Sequence, residues 1–294
     1  MKNIAEIVDN YKNVFETQLT EFFDCYECDV PQILDAVKYG ILDGGKRIRP
    51  ILAYFGGKYC GKDEAFVSNI ALGIEMIHSY SLVHDDLPCM DNDTLRHGKL
   101  TTHAKFGEDI GVLAGDGLLT LAFECLASDN SGAQNMLAAI KYIAKVSGIS
   151  GMVGGQTLDI ANNADSALTL IDLEKINKKK TACLLKAGLI GSLIKCGAGQ
   201  KDIDIFEQYG DILGEIFQLV DDILDKTSDF KSIGKSAHKD ENCGKLTYVE
   251  RFGLEKTKER VQQLESFSLE LLRKLDGDTK ELQEFTIYLT KRAK

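Results

Sequence analysis

The chain has 294 residues, 44% of them hydrophobic, with 45 acidic against 35 basic side chains and a formal charge of −10. That length can bury a large core, and three prolines with no Gly/Ser-rich or Pro-rich linker favour one domain spanning 1–294. The acidic balance excludes a nucleic-acid binder, whose affinity rests on a basic face.

The N-terminus, Met1-Lys-Asn-Ile-Ala-Glu, lacks the charged region and apolar run of a secretory signal, so a cytoplasmic chain is expected. Apolar spacing of three and four predicts helices over 3–23, 31–42 and 48–58. Eight cysteines are scattered singly apart from Cys25-Tyr-Glu-Cys28. That pair has neither the second pair or nearby histidine that zinc needs nor a redox-fold pattern, so ordinary reduced cysteines are expected. Between the second and third helices, Asp43-Gly-Gly-Lys46-Arg47-Ile-Arg49-Pro50 sets three positive charges after a glycine pair that can turn the chain.

A helix predicted over 63–87 ends in the first acid cluster, Asp85-Asp86-Leu-Pro-Cys-Met-Asp91. Asp85 and Asp91 lie about 240° apart on an ideal helix, so they converge only if the helix breaks. Pro88 supplies the break by disfavouring helical geometry at Leu87 and donating no backbone bond. His78 and His84 sit in apolar surroundings, where a hydrogen-bonded core histidine is the default. Helices follow over 109–127, 132–147 and 171–195, the last holding Lys180-Thr181. Its apolar part, Ala182–Ile194, is interrupted by Lys186 and too short to span a bilayer, so no membrane insertion is expected. The helix over 201–226 ends in the second cluster, Asp221-Asp222-Ile-Leu-Asp225, where Asp221 and Asp225 share a face one turn apart. Lys235 and Lys245 follow, then helices over 245–274 and 278–292. No set of alternating strand-like runs occurs, so the fold class is all-α, a large helical bundle.

Carboxylates packed this densely repel one another unless a cation is shared between them, and both clusters directly follow apolar turns, where an unpaired charge is costly. Hard cations such as Mg²⁺ take one or two carboxylates each and leave other positions to water and phosphate oxygens. A calcium loop starting at Asp91 would place Leu95 and Arg96 where an oxygen ligand and glycine are needed. Lys46, Arg47, Arg49, Arg96, Lys180, Lys235 and Lys245 supply cations for phosphate.

Gly44-Gly45-Lys46-Arg47-Ile48-Arg49-Pro50, Ser81-Leu-Val-His-Asp85-Asp86-Leu-Pro-Cys-Met-Asp91, Gly154-Gly155-Gln156, Lys180-Thr181 and Phe217-Gln218-Leu-Val-Asp221-Asp222-Ile-Leu-Asp225 closely resemble the trans-polyprenyl diphosphate synthases, nearest the bacterial farnesyl type. The resemblance runs in order from about residue 35 to 250. It implies the isoprenoid-synthase fold around a central cavity, a homodimer, and head-to-tail addition of isopentenyl diphosphate to allylic diphosphates. It implies three Mg²⁺ ions with substrate bound, held through Asp85, Asp86, Asp91 and Asp221, with Asp222 and Asp225 nearby. By the same resemblance Arg96, Lys180 and Lys235 bind the allylic diphosphate with help from Lys245. Lys46, Arg49 and His78 hold isopentenyl diphosphate, and Thr181 and Gln218 place oxygen dipoles near the allylic cation. One position departs: relatives carry two consecutive arginines where this chain has Arg96-His97, so His97 is expected to assist only when protonated.

Tyr80, with Ser81 beside it, lies a little over one turn before Asp85. In similar enzymes an aromatic residue there floors the pocket and stops elongation at fifteen carbons, so farnesyl diphosphate is the expected product. Geranylgeranyl diphosphate synthesis is the nearest rival. A noncatalytic regulatory subunit should have lost acid-cluster residues, and a terpene cyclase needs no Gly-Gly-Lys-Arg-Ile-Arg turn.

Overall fold

The computed structural model describes residues 3–42, 44–129, 131–162, 170–227 and 247–292. Helix α1 (Ile4–Cys25) starts at a reciprocal cap between Asn3 and Glu6 and buries Val8, Tyr11, Phe15, Leu19 and Phe23 along one stripe. Helices α2 (Pro31–Leu42), α3 (Ile48–Tyr59) and α4 (Ser68–Asp85) follow. A two-strand hairpin, β1 (Leu95–Arg96) and β2 (Lys99–Leu100), then leads into α5 (Thr102–Phe106), α6 (Glu108–Ala127) and α7 (Ala133–Ser147). Next come α8 (Met152–Asn162), α9 (Leu170–Asn177), a π-helical turn (Lys178–Ala182), α10 (Cys183–Lys195) and α11 (Gln200–Thr227). The chain continues through α12 (Tyr248–Phe252), α13 (Leu254–Leu272) and α14 (Lys280–Lys291).

Helices α3, α4 and α10 are buried on nearly every side and form the middle of the bundle. Glycines let them close up: a Cβ on Gly188 would lie 2.6 Å from the Arg49 carbonyl, and one on Gly73 2.7 Å from the Leu126 side chain. A second, smaller core joins Ile216, Leu219, Val220 and Ile223 of α11 to Val249, Val261 and Leu264. The two acid-bearing helix ends, of α4 and α11, thus sit on separate packed units.

The all-α class stands, with local differences from expectation. The predicted 63–87 helix begins at Ser68, after a turn that closes on Gly57 through the Lys62 amide. The predicted 171–195 helix is divided by the π turn, and the 245–274 helix breaks at Gly253, whose φ is 84°. Helices α5 and α8 and the hairpin were not foreseen. The hairpin turns through His97 (φ 50°) and Gly98 (φ 80°), a two-residue turn whose doubly positive φ matches strand twist, but its strands are too short to show alternation. Among the described residues two stretches are long and apolar enough to cross a membrane by length and composition: Glu108–Ala127 and Ala133–Ala161, the latter interrupted by the turn at 148–151. The Ala182–Ile194 run is therefore not the relevant test of that property.

Candidate active site

Pro88 ends α4 as expected, and the loop after it folds back on the helix end. The Asp91 amide donates to the Asp85 carbonyl at 2.9 Å and the Asp93 amide to the Asp86 carbonyl at 3.1 Å. Asn92 takes the left-handed turn at φ 52°, which asparagine tolerates better than most residues. The three aspartates of this motif then diverge in environment. Asp86 is 3% exposed, and both its oxygens accept bonds from Arg96, the shortest at 2.7 Å. Asp85 accepts from Gln156 Nε2 at 2.9 Å, and Asp91 stands exposed at the rim. Asp86, expected as a metal ligand, pairs bidentately with Arg96 in this structure, which satisfies a carboxylate that water does not reach.

The second motif divides the same way. Asp222 accepts from Gln218 Nε2 at 2.9 Å and from the Tyr248 amide at 3.4 Å, tying α11 to the start of α12. Asp221 is open on its face and lies 3.5 Å from Lys46 Nζ, while Asp225 is exposed one turn on. Burial pushes the Asp85 and Asp222 carboxyls up to about 6. Lys180 and Arg96 draw Asp85 back down and Asp91 and Asp86 push it higher; for Asp222 the bonds from Gln218 and Tyr248 oppose the rise, and Asp225 and Asp221 add to it.

The basic turn separates its cations by backbone geometry. Arg47 adopts φ 50° at the start of α3, which swings its guanidinium inward onto Glu75 (2.8 Å), Glu16 (2.9 Å) and the Ile41 carbonyl (2.8 Å). It is a structural ion pair, not a phosphate ligand. Arg49 is half-buried, its Nε has no hydrogen-bond partner, and burial lowers its pKa against the pull of Glu75 and Asp221. A guanidinium whose buried Nε lacks a partner is suited to an anion. His78 is kept neutral, its pKa well below the usual value, first by burial and then by Arg49, Arg96, Arg47 and His97. Arg49, Arg96, Arg47 and His97 thus all lie within electrostatic reach of His78.

Lys180 and Thr181 lie in the π turn. Helices press on it from two sides: a Cβ on Gly155 would lie 2.3 Å from the Lys180 amide, and one on Gly214 2.2 Å from Ala182 Cβ. Widened turns of this kind often mark functional positions. Lys180 Nζ meets Asp159 at 2.6 Å. Asp159 and Gln156 share a face of α8 and were given no role from sequence; Gln156 carried a signal through its Gly-Gly-Gln motif, Asp159 none. Tyr80 is 7% exposed and meets the His84 ring edge-on at 5.8 Å, with Ser81 bonded to the His78 carbonyl. Lys235 and Lys245 lie outside the described residues.

Among the described residues no group of three or more His, Cys, Asp or Glu forms a ready metal cage. The donors present still fit Mg²⁺: carboxylates only, split between two motifs, two of them with pKa raised by burial. Mg²⁺ characteristically takes one or two carboxylates and completes its shell with phosphate oxygens and water.

An all-α bundle bearing two aspartate motifs and a glycine-led basic turn is a protein of the isoprenoid-synthase fold. The comparisons are more specific: residues 30–284 match the polyprenyl synthetase family, and the chain belongs to it. It is 42% identical over 245 residues to geranylgeranyl pyrophosphate synthase 4 of Arabidopsis thaliana, covering 83% of this chain and 66% of that protein. The chain thus spans about two thirds of that relative's length. It superposes on a geranyltransferase of Legionella pneumophila with a TM-score of 0.87 at 33% identity, covering 99% of this chain and 97% of the other. A Helicobacter pylori geranyltransferase, crystallised with magnesium and isoprenyl diphosphate, gives 0.83 at 33% identity with the same coverage.

Proposed function

We propose that the protein is a Mg²⁺-dependent trans-prenyltransferase that adds isopentenyl diphosphate to dimethylallyl and then geranyl diphosphate, giving farnesyl diphosphate. The observation that carries this reading is the 3.5 Å approach of Lys46 to Asp221, which brings the basic turn against the second acid motif. Two diphosphates can then be held side by side. Asp85, Asp91, Asp221 and Asp225 would hold Mg²⁺, which when bound offsets the negative charge growing on the leaving diphosphate. Arg96, fixed by Asp86, and Lys180, fixed by Asp159, would grip the same group.

On the other side Lys46, Arg49 and neutral His78 would orient isopentenyl diphosphate, with His97 adding charge when protonated. Gln218 donates its N–H to Asp222, which leaves its carbonyl oxygen, with the Thr181 hydroxyl, to face a developing allylic cation. The allylic C–O bond breaks, the isopentenyl double bond attacks the cation, and a proton is lost to the departing pyrophosphate. Groups fixed in advance of the charge they stabilise lower the barrier more than they tighten substrate binding.

Tyr80, an aromatic ring one turn below Asp85, supports the fifteen-carbon product. Geranylgeranyl diphosphate is the second reading, favoured by the name of the plant relative. Exposed Val112 and Leu113 on α6 support self-association as a homodimer. Purified protein incubated with Mg²⁺, isopentenyl diphosphate and each allylic starter, with products sized by chromatography, tests the reading. A C15 product is expected; C20 would favour the second reading, and no product would favour a regulatory subunit.

A further inference from the structure

Helices α3 and α10 run parallel and nearly touch. Gly188 faces Arg49 and Ala53, and one turn further on a Cβ on Gly56 would lie 2.7 Å from the Leu189 carbonyl and 3.0 Å from Ser192 Cβ. The register continues by one more turn on each helix, from Gly56 to Cys60 and from Ser192 to Cys196. Each cysteine caps its helix: the Cys60 amide donates to the Gly57 and Lys58 carbonyls, and the Cys196 amide to those of Ser192 and Ile194. The thiols therefore meet although they are far apart in sequence. The two thiols act on each other: the Cys196 thiol and burial raise the Cys60 pKa, while the Cys60 thiol, with Lys195 and Lys62, holds Cys196 below its usual range. Both side chains are half-buried, so each keeps some contact with solvent. A thiophilic metal is not the occupant, because among the described residues no third His, Cys, Asp or Glu completes a set, and nearby Asp202 is engaged by the Tyr59 hydroxyl at 2.8 Å.

We propose that Cys60 and Cys196 are a reversible thiol–disulfide site that joins the C-terminal ends of α3 and α10, with a peroxide as oxidant. The Cys196 thiolate attacks one oxygen of hydrogen peroxide, the O–O bond breaks, and hydroxide leaves, so that Cys196 becomes a sulfenic acid. Cys60 sulfur then attacks Cys196 sulfur, the S–O bond breaks, and the Cys60 proton ends on the departing hydroxide as water. In sum two thiols and one peroxide give one disulfide and two waters: the sulfurs lose the two electrons that the peroxide gains. A dithiol reductant reverses the change. Along α3 the site is about 16 Å from Arg49, so its chemistry is read apart from prenyl transfer.

The test treats the reduced full-length protein with hydrogen peroxide, blocks remaining thiols with iodoacetamide, and maps peptides by mass without reductant. The expected result is a cross-linked peptide pairing Cys60 with Cys196, a loss of two of the eight thiols, and full recovery with dithiothreitol. In the Cys60→Ser variant, dimedone should label Cys196 and the cross-link should vanish; in Cys196→Ser, neither the cross-link nor label at Cys60 should form. Alkylated Cys60 and Cys196 alongside an oxidised Cys25–Cys28 pair would overturn the proposal. So would a cross-link from Cys196 to any other cysteine.

Discussion

Gln156 donates its side-chain N–H to the Asp85 carboxylate at 2.9 Å, across 71 residues of chain. The bond sets the rotamer of an aspartate proposed to hold Mg²⁺, and a hydrogen bond to a charged group contributes about 1.5–3 kcal/mol. Gln156→Leu should therefore raise the Mg²⁺ concentration needed for half-maximal prenyl transfer by roughly ten-fold while leaving the fold intact. Initial rates against Mg²⁺ concentration, with circular dichroism as the control, measure this. An unchanged Mg²⁺ dependence would show that the contact does not orient the ligand.

How much of such a site can be read in advance depends on whether the cause is local. The return of Asp91 to Asp85 is local, because Pro88 forces it, and the Asp221–Asp225 pair follows from helical repeat alone. The division of labour within each motif is not. Asp86 is buried against Arg96, Asp85 and Asp222 are half-buried against Gln156 and Gln218, and Asp221 lies beside Lys46, yet the sequence writes all four alike. The π turn at Lys180 is likewise hidden, since 171–195 carries an unbroken helical pattern and the widening arises where Gly155 and Gly214 let two other helices approach. Asp159 has no spacing signal and is found only through Lys180.

Arg47 and Arg49 stand two residues apart and should behave oppositely. Arg47→Met strands Glu75, itself 4% exposed, without its cation, which should cost about 3–5 kcal/mol of stability. Arg49→Met removes a half-buried charge whose buried Nε has no partner, so stability should change by less than about 1 kcal/mol. Its kcat/KM for isopentenyl diphosphate should nonetheless fall by roughly 10–100-fold, as loss of a charge-assisted bond implies. Urea unfolding and steady-state kinetics on both variants separate the two roles; equal effects on stability would contradict the assignment.

The π turn offers a steric test. A Cβ on Gly155 would meet the Lys180 amide at 2.3 Å, so Gly155→Ala must displace backbone, at about 1–3 kcal/mol. The Michaelis constant for the allylic diphosphate should rise more than that for isopentenyl diphosphate. Gly199→Ala, which meets nothing within 4 Å, is the control and should stay within about 0.5 kcal/mol of the parent.

Asp85 and Asp222 give the site a pH dependence whose sign is fixed. Both carboxyls are held up at about 6 by burial, against an ordinary value near 4. Between about pH 4 and 6 the folded chain binds more protons than the unfolded one, so the stability of the metal-free protein falls as pH rises through that window. Mg²⁺ requires the ionised carboxylates and must displace those protons. The rise in Tm produced by Mg²⁺ with inorganic pyrophosphate should therefore be small at pH 5 and large at pH 7.5. Pyrophosphate titrates as well, so Asp85→Asn serves as the reference and should flatten part of the difference. A Tm gain that is the same at both pH values in the parent protein would rule out these carboxyls as the titrating groups.

Tyr80 tests the product-length reading. Its ring is buried and packs edge-on against His84, whose Nε2 lies 3.0 Å from the Val112 carbonyl of α6, so His84 backs the ring. Tyr80→Ala removes that ring and opens space five residues before Asp85, about 7.5 Å along the helix, enough for one added isoprene unit. Its products should shift from fifteen to twenty carbons, with some loss of stability from the cavity, of the order of 3–5 kcal/mol at most. Tyr80→Phe, which keeps the ring, should keep the parent product. If the parent already makes C20 chains, or if Tyr80→Ala leaves C15 unchanged, the floor of the pocket is formed by other residues and Tyr80 serves only to pack α4 against α6.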